Sequence, residues 1–145
     1  MSNQHRMPYQ WLYAKTDRRK GDQIHLLLHH LLDVGTAAHA MWQSVFTHSF
    51  RQQIADLLGT TVAEAGQFVA FAAALHDLGK AGPTYQNKYP PQWLRAKFKE
   101  AGILVERCHY NDATYNCPHA TVTTWALPKL LVEYEGYDES FAQKI

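Results

Sequence analysis

Two cysteines in 145 residues are too few for a disulfide framework. No apolar run approaches the ~20 residues of a membrane span. The longest, Phe68 to Leu75, is far too short. The first ten residues, Met1 to Gln10, are polar and lack the apolar core of a signal peptide. Charge of one sign is not in excess either: 14 basic residues face 13 acidic ones, for a net +1. A global polycation argument for nucleic acid is therefore absent. There is no internal repeat, low-complexity tract or long linker. These absences argue against a disulfide scaffold, a membrane protein and a generic polycation. They leave an expected cytosolic chain of one domain, with 46% hydrophobic and 19% charged residues as in a globular protein. In that compartment Cys108 and Cys117 are expected as free thiols.

What is present is nine histidines and an uneven charge distribution. Histidine is the commonest metal ligand among side chains and the proton carrier near neutral pH. From Lys80 to Arg107 there are six basic residues against two acidic ones, whereas Glu133 to Glu139 carries four acids and no base. The apolar pattern is helical almost throughout. From Asp22 onward, Ile24, Leu27, Leu28, Leu31, Val34, Ala38, Met41, Trp42 and Val45 recur at helical spacing and predict one long helix. Ser49 with Gln52, and Thr61 with Glu64, read as capping boxes that open helices over 50–58 and 62–78. Gly59 and Gly79 read as their stops. Gln92 to Ala101 reads as a short basic helix, and Cys108 to Cys117 as a loop. A last helix begins near Pro118, with His119, Val122, Ala126 and Leu130 on one face and Pro128 expected to kink or end it. No segment alternates convincingly with period two. The expected fold class is all-α, a single helical bundle.

The chemistry concentrates in His76, Asp77 and Lys80. His76 continues the stripe of Ala65, Val69 and Ala72, so it is expected to point inward at a helix end with Asp77 beside it. Burying that pair is costly unless something partners both groups. A lone His-Asp pair is more often a core histidine oriented by a carboxylate. A divalent metal satisfies the same pair. Two further histidines favour the metal. His30 lies in the row of Leu27 and Val34, and His119 opens the last helix on its apolar side. Three histidines from three helices with one aspartate fit a metal site inside a helical bundle.

These residues resemble a family. His30 followed by Leu-Leu-Asp-Val34, and then His76-Asp-Leu-Gly-Lys80, is the pattern of the HD metal-dependent phosphohydrolases. The opening Leu12-Tyr13-Ala14-Lys15-Thr16, the run His25-Leu-Leu-Leu-His-His30 and the extension from Lys80 to Tyr85-Gln86 are similar to the HD nuclease domain of the CRISPR-associated helicase–nuclease of type I systems. The resemblance covers about residues 11 to 131. It implies an HD-type bundle with the metal site in its core. His30, His76 and Asp77 would hold a first ion, Asp77 would bridge to a second, and His119 would bind that second ion. Asp77 and Lys80 would be the catalytic pair, with Lys80, expected to be free just past the Gly79 stop, beside the scissile phosphate. The implied cofactor is one or two divalent ions, a transition metal such as iron, manganese, nickel or cobalt, with magnesium a further possibility. The implied activity is cleavage of single-stranded DNA, endo- or exonucleolytic. The implied partners are a helicase module, in cis or in trans, and a guide-RNA surveillance complex, with no membrane involved and the chain a monomer. The family continues with a His-His pair and a final metal-binding aspartate, which nothing after Leu131 matches. Residues 1–145 are therefore expected to be an HD domain incomplete at its C-terminal side, with Asp112, Glu133 and Asp138 the first substitutes to consider.

Other features carry less. His25 and His29 flank His30 and read as boundary residues on other sides of the helix; His5, His39 and His48 read as surface. Cys108, His109, Cys117 and His119 match no common zinc spacing. Trp93, Arg95, Lys97 and Lys99 could track a nucleic-acid strand by charge and stacking, or simply form a solvated helix face. Two other functions compete with the nuclease. One is an HD phosphohydrolase acting on a nucleotide; the other is a non-catalytic docking module retaining part of the site.

Overall fold

The computed structural model describes residues 8–20, 22–88, 90–101, 118–133 and 136. Within them lie a two-stranded antiparallel hairpin and six helices. The strands are β1, Tyr13–Asp17, and β2, Gln23–Leu26. The helices are α1, Leu27–Ser44; α2, His48–Leu58; α3, Val62–Leu75; α4, Pro83–Gln86; α5, Gln92–Glu100; and α6, His119–Glu133. A 3-10 turn, Leu78–Ala81, joins α3 to α4. The helical class holds, and no single described helix is long and apolar enough to cross a membrane.

The hairpin is the main departure from the sequence reading. The helix expected from Asp22 begins at Leu27, because Gln23 to Leu26 pairs with β1 instead. Neither strand alternates cleanly, and the register slips between Tyr13 and Lys15. The ladder and the new helix share a joint: the Leu27 amide donates to the Leu12 carbonyl at 2.7 Å. An N-terminal amide that would otherwise lack an intrahelical partner is thus satisfied, although no side chain caps this helix.

Among the described residues, three small cores hold the helices. Trp42 of α1, Ala55 of α2 and Ala65 of α3 form one, with Phe46, Ile54, Leu58, Val62 and Val69 packed around it. A Cβ on Gly66 would lie 2.4 Å from the Trp42 indole nitrogen, so only glycine admits this ring. Tyr13, Leu94 and Phe98 form the second, fixing α5 against the hairpin. Leu127 and Leu131 of α6 form the third against Leu75 and Leu78. Much of the expected α1 stripe stays in solvent: Leu28, Met41 and Val45 are exposed, while Leu27 and Trp42 are buried.

Several helix ends differ from expectation. α2 is capped by Thr47, whose hydroxyl accepts from the Phe50 amide at 3.3 Å, so Ser49 with Gln52 is not the capping pair. Gly59 does stop α2 in the left-handed conformation, at φ 68°. Helix α3 ends at Leu75 rather than residue 78, and Gly79 lies within the 3-10 turn. Pro128 does not end α6, which runs on to Glu133. A mid-helix proline costs about 3 kcal/mol. Here the carbonyl that loses its amide partner belongs to exposed Thr124, open to water, while buried Leu127 and Leu131 hold the helix on both sides.

The cap of α3 follows the sequence. Thr61 accepts from the Glu64 amide at 3.2 Å, and the Glu64 carboxylate accepts from the Thr61 amide at 3.0 Å. Side-chain hydrogen bonds from Thr60 and Thr61 and the Thr61 amide lower the Glu64 pKa from 4.5 to about 2. A depressed carboxylate stabilises the fold fully above its ordinary pKa and loses that contribution as pH falls toward the folded value. Denaturant titrations between pH 6 and pH 2 should therefore show a shallower acid loss in Glu64→Gln than in wild type. Parallel curves would mean that the ionised Glu64 carboxylate adds nothing to folding.

Candidate metal centre

The site lies where α1, the end of α3, the 3-10 turn and the start of α6 meet. At its centre is Asp77, with only 5% of its surface exposed. Its Oδ2 lies 2.9 Å from His30 Nε2, 3.1 Å from His76 Nε2 and 2.5 Å from Lys80 Nζ. Its Oδ1 lies 3.0 Å from His119 Nε2. Four nitrogens from four segments therefore converge on one carboxylate. Burial pushes the Asp77 pKa up, but hydrogen bonds from Lys80 and His30, with the charges of Lys80 and His76, outweigh it and hold the group below the ordinary carboxylate range. It is ionised at neutral pH.

Backbone geometry makes this convergence possible. A Cβ on Gly79 would lie 2.0 Å from the His119 carbonyl oxygen and 2.8 Å from the Thr123 amide nitrogen. Glycine is required here for close approach, not as the helix stop expected from sequence. The Gly79 amide donates to Thr123 Oγ1 at 2.8 Å, and that hydroxyl donates to the His119 carbonyl at 3.1 Å. This stitch seats the first turn of α6 on the 3-10 turn and brings His119 to Asp77.

The donor set fits a cation. His76 Nδ1 lies 2.8 Å from the Ala73 carbonyl, which can only accept, so Nδ1 carries the proton. In the neutral ring, Nε2 then presents a bare lone pair to a carboxylate oxygen. A cation between them turns that repulsion into ligation, and a backbone bond at the far ring nitrogen is the usual way to fix a ligating tautomer. Ligand atoms of His30, His76 and Asp77 all lie within 4.8 Å of one another, forming the metal-capable group among the described residues. His119 faces the other carboxylate oxygen.

Not every expectation of the site is met in the form the sequence suggested. His76 is not inward: 46% of its side chain is exposed, while its Nε2 still reaches Asp77 Oδ2. Lys80 is not free; it is buried, with its ammonium on Asp77. His25 lies on β2, not on the helix, so its ring packs edge-on against His30 at 5.7 Å while its Nε2 pairs with Asp33 at 3.3 Å. His29, His39 and His48 are exposed. Trp93, Arg95 and Lys99 are exposed on α5, and Lys97 pairs with Glu100 at 2.8 Å. That helix packs on the hairpin and contributes none of the groups touching Asp77. Cys108, His109, Asp112, Cys117, Asp138 and His5 lie outside the described residues.

Sequence reasoning gave no role to Gln86, which is fully buried. Its amide donates to the Tyr13 and Lys80 carbonyls at 2.9 and 2.6 Å and accepts from the Tyr13 amide at 3.1 Å. It pairs with β1 as a strand would and ties the hairpin to Lys80. A polar residue six positions after a lysine gives no periodic signal that could announce this.

A family profile described as Cas3, HD domain, matches residues 13–145. The chain belongs to the Cas3 HD domain family. The CRISPR-associated endonuclease/helicase Cas3 of Escherichia coli (strain K12) is 32% identical over 87 residues, which span 59% of this chain and 9% of that protein. A solved structure described as a crystal structure of a CRISPR-associated protein matches with a TM-score of 0.78 and 25% identity, over 94% of this chain and 15% of that one. This chain thus corresponds to a small part of each. Membership of this family and the His-Asp cluster agree in placing a metal-capable group inside a helical domain.

Two outcomes test the centre. Asp77→Asn should abolish tight binding of added manganese by calorimetry while the helical circular dichroism remains; undiminished binding would remove Asp77 from the site. Gly79→Ala should lower stability by about 1–3 kcal/mol, the usual cost of overpacking, and weaken metal binding with it, because the added methyl pushes His119 away. A thermal melt and the same titration measure both.

Proposed function

We propose that this chain is a nuclease domain that hydrolyses phosphodiester bonds of single-stranded DNA. One observation carries this reading: histidines from α1, the end of α3 and α6 meet both oxygens of one buried, ionised carboxylate. His30, His76 and Asp77 would hold a divalent ion, and His119 with Asp77 Oδ1 would offer ligands to a second. Imidazole-rich ligation favours iron, manganese, nickel or cobalt over magnesium. The chemistry such an ion supplies when bound is Lewis acidity, which lowers the pKa of water and polarises a phosphoryl oxygen.

The chain's own residues supply the rest. Asp77 keeps its charge at neutral pH and orients the ring nitrogens around it. His76, half exposed, lines the mouth through which a phosphate enters. Lys80 neutralises Asp77 and is close enough to shift its ammonium onto the negative charge that grows on the phosphate oxygens. In the overall reaction a water oxygen bonds to phosphorus, the phosphorus–oxygen ester bond breaks, and the proton released by water balances the one taken up by the leaving alkoxide. The exposed Trp93, Arg95 and Lys99 of α5 offer stacking and charge to a strand approaching from the hairpin side.

The name of the Escherichia coli relative joins an endonuclease and a helicase in one CRISPR-associated protein. We propose accordingly that the domain works with a helicase module, in cis or in trans, and, beyond what that name carries, with a guide-RNA surveillance complex as a monomer in the cytoplasm.

The deciding assay measures cleavage of single-stranded DNA, duplex DNA and a nucleotide panel, with each metal added back in turn. Metal-dependent loss of single-stranded DNA alone is expected. Turnover of nucleotides instead would favour the phosphohydrolase, and metal binding without turnover a docking module. Lys80→Ala should keep the metal and slow cleavage by about 10²–10³, the loss typical of one electrostatic stabiliser. Joint loss of metal and activity would make Lys80 part of the metal site's framework.

A further inference from the structure

Tyr85 stands between the hairpin and the Asp77 carboxylate. On one side its hydroxyl donates to the Ala14 carbonyl, and its own carbonyl accepts from the Tyr13 hydroxyl at 3.2 Å. Its ring lies 5.7 Å from that of Tyr13. On the other side the same ring meets His119 edge-on, with centroids 5.6 Å apart and planes at 74°. The Lys80 ammonium lies 5.5 Å from its centre. A single side chain thus touches the histidine on Oδ1 and the cation on Oδ2.

Neither of those two groups is held firmly by its own segment. His119 opens α6, and 38% of its side chain is exposed. Lys80 ends in a flexible chain of methylenes. An edge-on aromatic contact and a cation over a ring face each restrict such freedom, at about 0.5–1.5 and 0.5–2 kcal/mol. Packing against Tyr13 fixes the ring in turn, and the hydroxyl adds a second, smaller anchor. Burial first, then the neighbouring Tyr13 and the charge of Asp77, push the phenol pKa up, so it stays a donor through the neutral range.

We infer that Tyr85 is a positioning residue: its ring, seated against Tyr13 with the hydroxyl on Ala14 as a lesser anchor, holds His119 on Asp77 Oδ1 and Lys80 on Oδ2. The hairpin thereby sets the geometry of the metal centre through one side chain. The inference rests on the metal-binding reading only for its second measurement.

The test compares the full chain as wild type, Tyr85→Phe and Tyr85→Leu. The first measurement needs no metal. In proton NMR the His119 Hε1 line, assigned by its loss in His119→Gln, should be shifted by the Tyr85 ring current in wild type and Tyr85→Phe, and return to the free-imidazole position in Tyr85→Leu. The second is calorimetric titration with cobalt(II). Tyr85→Leu should weaken affinity about 10-fold or more, the usual effect of losing a group that orients a ligand, and Tyr85→Phe by no more than about threefold. Three results would overturn the inference: an unshifted His119 line in wild type, cobalt affinity in Tyr85→Leu equal to wild type, or Tyr85→Phe as impaired as Tyr85→Leu. If wild type binds no cobalt, the metal reading fails, and the NMR arm alone decides about Tyr85. Should Tyr85→Leu not fold, the wild-type and Tyr85→Phe spectra still decide it.

Discussion

The Asp77 carboxylate, buried and ionised, is the constraint to which the surrounding structure answers. Moving such a charge out of water costs several kcal/mol even after relaxation, at an order of magnitude, unless good partners surround it. The chain meets this with four nitrogens, brought from α1, the residue just past α3, the 3-10 turn and α6. Lys80 supplies the formal positive charge, at 2.5 Å. Removing Lys80 alone would leave the buried carboxylate with only its three imidazole partners. The cluster is poised for a cation, because His30, His76 and Asp77 bring ligand atoms within 4.8 Å of one another.

Three devices deliver those nitrogens, and each depends on close packing. Gly66 lets the Trp42 ring settle against α3, which fixes the crossing of α1 and α3 and so the approach of His30 to Asp77. Gly79 admits the backbone of α6 and donates to Thr123, which places His119. Gln86 substitutes for a neighbouring strand, holding Tyr13 by both its amide and its carbonyl and Lys80 by its carbonyl. All three use small or polar residues where a larger apolar side chain would contribute more burial. The cores are correspondingly modest, and large apolar side chains such as Leu57 and Trp125 remain exposed.

Much of the site was legible because its ligands sit in a short, dense motif. His76, Asp77, Gly79 and Lys80 fall within five residues, and His30 and His119 are the remaining histidines on apolar rows. The partners of those residues were harder to see. His25 looked like the far side of a helix because its neighbours continue the helical spacing; β1 captured it first, and the ring came to rest on His30. Lys80 looked free because a lysine after a glycine normally reaches solvent; only the fold shows Asp77 claiming its ammonium. Pro128 looked like a terminator because propensity ignores the buried leucines on either side.

Residue spacing by itself determined the helical class, the start of α3 at its capping box and the three histidines that gather at Asp77, while Lys80 entered through the family resemblance. Those are properties of local sequence: period, cap chemistry and the side chains able to bind a cation. Tertiary structure alone decided that residues 23–26 are a strand, that Gly79 serves close approach and not a helix stop, and that Tyr85 and Gln86 link the hairpin to the site. Each of these depends on a contact between segments far apart in the chain, such as Gln86 on Tyr13 and His119 on Gly79. A hydrogen bond or a van der Waals limit across such a distance leaves no period in the sequence, so it becomes visible only when the chain has closed upon itself.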